Sequence, residues 1–172
     1  MTEVVLFLDE AIQFVADNAG RLARLSFEHV VLTLWSLLIA LPLAVSLGVF
    51  ISYYERAATA VLWGAGVLLT LPAIALFGIL VPIVGIGNPP TVAALVAYAQ
   101  LPVIRNTYIG LTRADAAAVE AGTGLGMSRF ERFRQIRLPL ALPVVMAGIR
   151  NAVILLVGLA AIGAFIGAGG LG

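Results

Sequence analysis

Between Arg56 and Arg105 lie 48 consecutive positions without Asp, Glu, Lys or Arg, and no other feature narrows the possible folds as much. A helix needs about 20 apolar residues to cross roughly 30 Å of hydrocarbon. The run therefore has room for two crossings, divided by the glycine- and proline-rich "VPIVGIGNPP" at 81–90. A second uncharged run separates Glu28 from Glu55. Hydrophobic residues make up 62% of the 172 positions and charged residues 11%, whereas a soluble domain has about 45–50% apolar residues. The expectation is an all-α integral membrane protein.

Four spans are expected, over 30–54, 58–80, 91–111 and 139–162. Pro42 should kink the first near its middle. Tyr53 and Tyr54 suit an interfacial belt, whereas Trp35 reads as too deep for one. Residues 1–28 carry Glu3, Asp9, Glu10 and Asp17 and lack the basic start of a cleavable signal. Leu6, Ile12, Val15, Leu22 and Leu25 roughly follow a helical period, which predicts an amphipathic segment on one membrane surface; a polar tail without function is the plainer alternative. The transmembrane domain then runs from 29 to 172, with a polar loop at about 112–138.

Orientation follows from the arginines. Arg56, Arg105, Arg113, Arg129, Arg132, Arg134 and Arg137 fall on one side, and Arg21 and Arg24 on the other. The positive-inside rule assigns the first side to the cytoplasm and both termini to the outside. All ten basic residues are arginine, and no function is drawn from that. Cysteine is absent, which excludes disulfides, thiolate metal sites and a cysteine nucleophile.

In the polar loop, Asp115 is a candidate N-cap for "AAAVEA", with Gly122, Gly124 and Gly126 expected to break that helix. Ser128-Arg129-Phe130-Glu131 has the form of a capping box and predicts a second short helix through about Ile136. Leu138-Pro139 would then redirect the chain into the membrane. Phe130 and Phe133, three residues apart, should share a side of that helix among the arginines. Two exposed phenylalanines suit docking to a protein; a basic helix resting on anionic headgroups reads equally well from composition.

The spacing of Glu120-Ala121-Gly122, Gly126, Ile136, Leu138 and Pro139 resembles the E-A-A-x(3)-G-x(9)-I-x-L-P signature of permease subunits of bacterial ATP-binding cassette importers. "LPVIRNTYIGL" (101–111), "GAFIGAGGLG" (163–172) and "HVVLTL" (29–34) further resemble the osmoprotectant group, which imports glycine betaine, choline, carnitine or proline betaine. Glycine at 122 departs from the second alanine and lowers helix propensity by about 1 kcal/mol, leaving the end of the first loop helix open.

The resemblance implies four helices of a five-helix importer core, truncated after Gly172, in a bacterial or archaeal cell membrane. It implies that the loop seats coupling helices on a separate ATPase subunit, with Glu120, Ala121 and Gly122 on the first helix, Gly126 at the turn, and Ile136, Leu138 and Pro139 at the return. A second permease copy and an external substrate-binding protein complete the assembly. The subunit itself is expected to be non-catalytic and free of cofactor, with ATP and Mg on the partner; lysine is absent, so no G-x-x-x-x-G-K-[ST] phosphate loop exists. Importers of an amino acid or methionine share such a loop, and a non-transporting scaffold that binds a cytoplasmic partner is the alternative of another class.

Arg150, with Asn151 beside it, falls near the middle of the fourth span, where a charge must face protein or water. It reads either as a pathway residue that meets a substrate carboxylate or as a structural donor to backbone carbonyls. Asn106 and Tyr108 fall at the end of the third span, as part of the exit or as anchors. His29 lacks Cys, Asp or Glu at ligand spacing, so no metal site is expected and interfacial packing is the reading. Nothing points to nucleic acid.

Overall fold

The computed structural model describes residues 2–172. Its elements are α1 (Thr2–Asp17), α2 (Ala19–Tyr53), α3 (Glu55–Thr70), α4 (Ala73–Val84), α5 (Asn88–Thr112), α6 (Ala116–Gly124), α7 (Arg129–Arg132), a π turn (Phe133–Arg137), α8 (Leu138–Gly163) and a closing 3-10 turn (Ala164–Ile166). Two helical runs, Ala19–Tyr53 and Arg129–Ile166, are long and apolar enough to cross a membrane, and α3 with α4 forms a third if counted as one broken span.

α5 lies at the centre, packed along both α2 and α8. At 25 residues it is about 38 Å long, yet it carries Asn88, Gln100, Arg105 and Asn106. Neighbouring helices, rather than lipid, cover much of its surface, with Leu95, Ala99, Val103 and Ile104 buried. Without a hydrophobic force between helices in lipid, close approach depends on small residues. Ala141, Gly148, Ala152, Ala160 and Gly163 mark a narrow buried stripe along α8. A Cβ on Gly148 would lie 2.6 Å from Asn106 Cβ and 2.8 Å from the Pro102 carbonyl. On the other side of α5, a Cβ on Gly48 of α2 would meet Thr107 Cβ at 2.5 Å.

Several helix limits differ from the sequence expectation. Residues 19–28 continue into the first long helix instead of lying in a separate surface segment, so Arg21, Arg24 and Glu28 sit on the outer turns of α2. The chain divides at Asn18, whose Nδ2 donates to Phe14 O. Leu6, Ile12 and Val15 are exposed on α1, while Leu22 and Leu25 are half-buried on α2. Pro42 is held inside α2 without ending it. From Trp35 to Tyr53 the helix rises about 27 Å, close to the hydrocarbon thickness, and Trp35 is exposed on it.

The expected span at 58–80 is broken into α3 and α4, which meet at 97°. Leu71 precedes Pro72 and takes an extended conformation, ψ 132°, because the proline ring excludes the helical region for its predecessor. Tyr98 of α5 donates to the exposed Leu71 carbonyl at 2.6 Å, which satisfies an acceptor left free by the bend. α5 then starts at Asn88, ahead of the expected Thr91, with Pro89 and Pro90 in its first turn, where a missing N–H costs nothing.

Candidate functional site

The polar loop is built from two local stop signals. Asp115 caps α6, its Oδ1 accepting from Ala117 N at 2.9 Å. The helix passes through Gly122 and ends at Gly124, later than the expected break. Met127 N then donates to Gly122 O and Gly126 N to Thr123 O, both at 3.0 Å. This pairing is a Schellman ending, which requires a left-handed residue; Gly126 supplies it with φ +77°.

Gly122 is buried because the far end of Ile136 lies over it: a Cβ there would come within 2.6 Å of Ile136 Cδ1 and 3.1 Å of Met127 Sδ. Glycine at this position thus trades helix propensity for contact with the π turn at Ile136. Glu120 and Ala121 are exposed on the same helix.

α7 opens with the expected capping box. Ser128 Oγ accepts from Glu131 N at 3.2 Å and Ser128 N donates to Glu131 Oε2 at 2.7 Å. The Ser128 N–H, and after it the Ser128 side chain, hold the Glu131 carboxyl below its usual range. α7 does not stop before the span. It passes through the π turn directly into α8, with Leu138 N donating to Phe133 O, so Leu138-Pro139 does not redirect the chain. Pro139 has no N–H and its ring crowds the carbonyl four residues back; the wider π turn makes room.

The two phenylalanines part company. Phe130 is 68% exposed, whereas Phe133 is half-buried, packed on Leu111, Ala141 and Val145, with its ring 6.2 Å from that of Tyr53. Leu125, at the turn after α6, is 83% exposed. Leu125 and Phe130 are therefore the apolar tips of the loop. Leu125 was missed in the sequence because it stands outside any helical period. Leu138 is half-buried and Pro139 exposed.

Asn106 and Asn151 come together across α5 and α8 in an open hollow of 420 Å³, with Arg105, Leu69, Leu101, Pro102 and Leu155. Asn106 Nδ2 donates to the Pro102 carbonyl at 2.7 Å. Arg150 is exposed on α8 and does not line this hollow; Arg105 does, and sequence reading had used it only for orientation. Tyr108 lines a neighbouring hollow with Ser52, Glu55, Thr112 and Arg137.

At the opposite end, His29 is buried and more than an interfacial packing residue. Nε2 lies 3.0 Å from Val157 O on α8, and Leu171 N donates to Nδ1 at 3.3 Å. The tautomer follows: Nε2 carries the proton and Nδ1 accepts. Gly170 N donates to Glu28 Oε2 at 3.4 Å.

Comparison with known proteins resolves what such a loop belongs to. Residues 27–172 match the family described as binding-protein-dependent transport system inner membrane component. The chain belongs to this family. The permease is 44% identical over 168 residues to the osmoprotectant import permease protein OsmW of Salmonella typhimurium, covering 95% of this chain and 78% of that protein. It is 38% identical to the choline transport system permease protein OpuBB of Bacillus subtilis, covering 94% and 74%. Among solved structures, an inward-facing MetNI methionine ABC transporter superposes with a TM-score of 0.73 at 28% identity, over 88% of this permease and 76% of that chain.

Proposed function

We propose that this permease is the membrane-spanning subunit of an ATP-driven importer of quaternary-ammonium osmoprotectants: glycine betaine, choline, carnitine or proline betaine. Its similarity to an osmoprotectant import permease and a choline transport permease supports the substrate class. The observation that carries the mechanism is the loop, whose two helices are fixed by caps at their starts and by the Gly126 turn between them. It presents Leu125 and Phe130 outward while Ile136 ties it to the run entering α8.

In this reading the loop faces the cytoplasm of a bacterial or archaeal cell and seats on a separate ATPase that holds ATP and Mg. Glu120, Ala121, Gly122 and Gly126 shape the docking helix and turn; Phe130 makes contact; Phe133, Ile136, Leu138 and Pro139 fix the lever behind it. Closure of the ATPase pair turns the attached helices and switches access. A second permease copy completes the pathway, and an external binding protein delivers the solute. Asn151 and Asn106 line the route through which it passes, and Arg150, outside their hollow on the exposed face of α8, is assigned to the same route. An Arg150→Met variant that folds, assembles and transports normally removes Arg150 from that route.

The test is uptake of labelled glycine betaine in cells lacking osmolyte importers and coexpressing the cognate ATPase and binding protein. Unlabelled choline and proline betaine should compete. The methionine transporter's fold similarity supports a second reading, import of methionine or another amino acid. Competition by methionine, with no effect of quaternary ammonium compounds, would establish that reading and refute the first.

A further inference from the structure

A second feature of the loop is independent of substrate choice. Between the end of α2, α6, α7 and the π turn lies a hollow of 220 Å³ lined by Tyr53, Val119, Arg129, Arg132 and Arg137. Three of its five lining residues carry a permanent positive charge. Among the described residues the one side-chain ion pair is Arg24 with Glu28, on the outer turns of α2, so no carboxylate neutralises these arginines. Glu131, the nearest acid in sequence, is bound to Ser128. Glu55 belongs to the adjoining hollow on the other side of Arg137.

The donors are arranged and unfilled. Arg132 Nη1 donates to Met127 O at 2.7 Å, which fixes its guanidinium and leaves further N–H groups free. Arg137 Nε is shut off from solvent and has no partner, a costly state for a donor that leaves the guanidinium's charge uncompensated beside the hollow. The planar fork of arginine suits phosphate oxygens, which accept two N–H bonds in parallel. The hollow also has a definite depth. Tyr53 is the last residue of α2 and Arg137 the last before α8, so it sits where two long apolar helices turn polar. Lipid phosphates lie at that level.

We propose that this hollow is a binding site for the phosphate of an anionic phospholipid headgroup, held by Arg129, Arg132 and Arg137 with Tyr53 at its wall. Such a lipid would tie the root of the loop to the membrane surface, between the docking tips and the spanning helices.

The experiment is native mass spectrometry of the purified permease in detergent, offered phosphatidylglycerol and phosphatidylcholine with matched acyl chains. The wild type should retain phosphatidylglycerol preferentially. Arg137→Gln should lower that retention about tenfold, as loss of a charge-assisted contact predicts. Arg129→Gln, at an exposed position that does not endanger folding, should lower it severalfold. Arg134→Gln removes the same charge from the same stretch outside the hollow and should leave retention unchanged. Equal loss in all three variants, or in none, overturns the site. Binding of inorganic phosphate alone with the same arginine dependence would overturn the lipid as its source. If Arg137→Gln keeps the lipid but no longer copurifies with the ATPase, the hollow belongs to the protein interface and the proposal falls.

Discussion

The two ends of the α2–α5–α8 core are held in opposite ways. At one end His29 and Glu28 of α2 reach across 128 to 142 positions of sequence to hold α8 and the glycine-rich tail by side-chain hydrogen bonds. At the other, the hydrogen bonds within the loop connect residues no more than five apart, as in Asp115 to Ala117, Ser128 to Glu131 and Arg132 to Met127; longer reach comes from packing, chiefly Ile136 on Gly122 and Phe133 on Tyr53. The first end is latched to its neighbours. The second is a preformed unit closed by its own short-range bonds.

That contrast can be broken from the centre outward. Gly148→Leu puts a side chain where even a Cβ meets the Pro102 carbonyl, so about 3 kcal/mol or more of stability should be lost; thermal unfolding in detergent would read it, and an unchanged midpoint would refute the close packing of α5 on α8. His29→Ala removes the donor to Val157 and the acceptor for Leu171, and should cost about 1–3 kcal/mol. Hydrogen exchange should then quicken at 167–171 and stay unchanged in the loop; faster exchange at both ends would mean that they are not independent.

Gly126→Trp forces a bulky residue into a left-handed conformation at a cost of roughly 1–2 kcal/mol. Membrane insertion should survive, while ATPase association falls or hydrolysis uncouples from uptake. Ser128→Ala should cost about 1 kcal/mol, seen as faster exchange confined to 128–132. Glu131 gives this cap a pH dependence. Its carboxyl is depressed in the folded state, so its contribution is present above the unfolded value of about 4.3 and is lost as pH falls through the lower folded value. An exchange profile in 128–132 that is insensitive to acid would remove the carboxylate from the cap.

The same contrast explains what could be read in the sequence. The capping box at Ser128 and the cap at Asp115 were legible because both partners fall within one turn. The His29 latch was not, since nothing near position 29 announces Val157 or Leu171. The uncharged run around Leu71-Pro72 reads as one span by hydropathy, and the bend emerges only with Tyr98 in place to take up the freed carbonyl. Phe130 and Phe133 are three residues apart and so stand about 60° apart around the axis, enough for Phe133 to pack on Leu111 and Ala141 while Phe130 faces outward. Arg105 counted only as a charge, since nothing within the third span at 91–111 announces that Asn151 and Leu155 of α8 share a hollow with it.

The π turn at Phe133–Arg137 inserts its widening into a helical run that is otherwise continuous from Arg129 to Ile166. It therefore acts as an indexing joint: each residue of a helix turns its successors by about 100°, so the extra residue sets the angle between the loop's outward tips and the face that α8 turns toward α5. Removing one residue here would leave a more regular helix whose two halves point the wrong way.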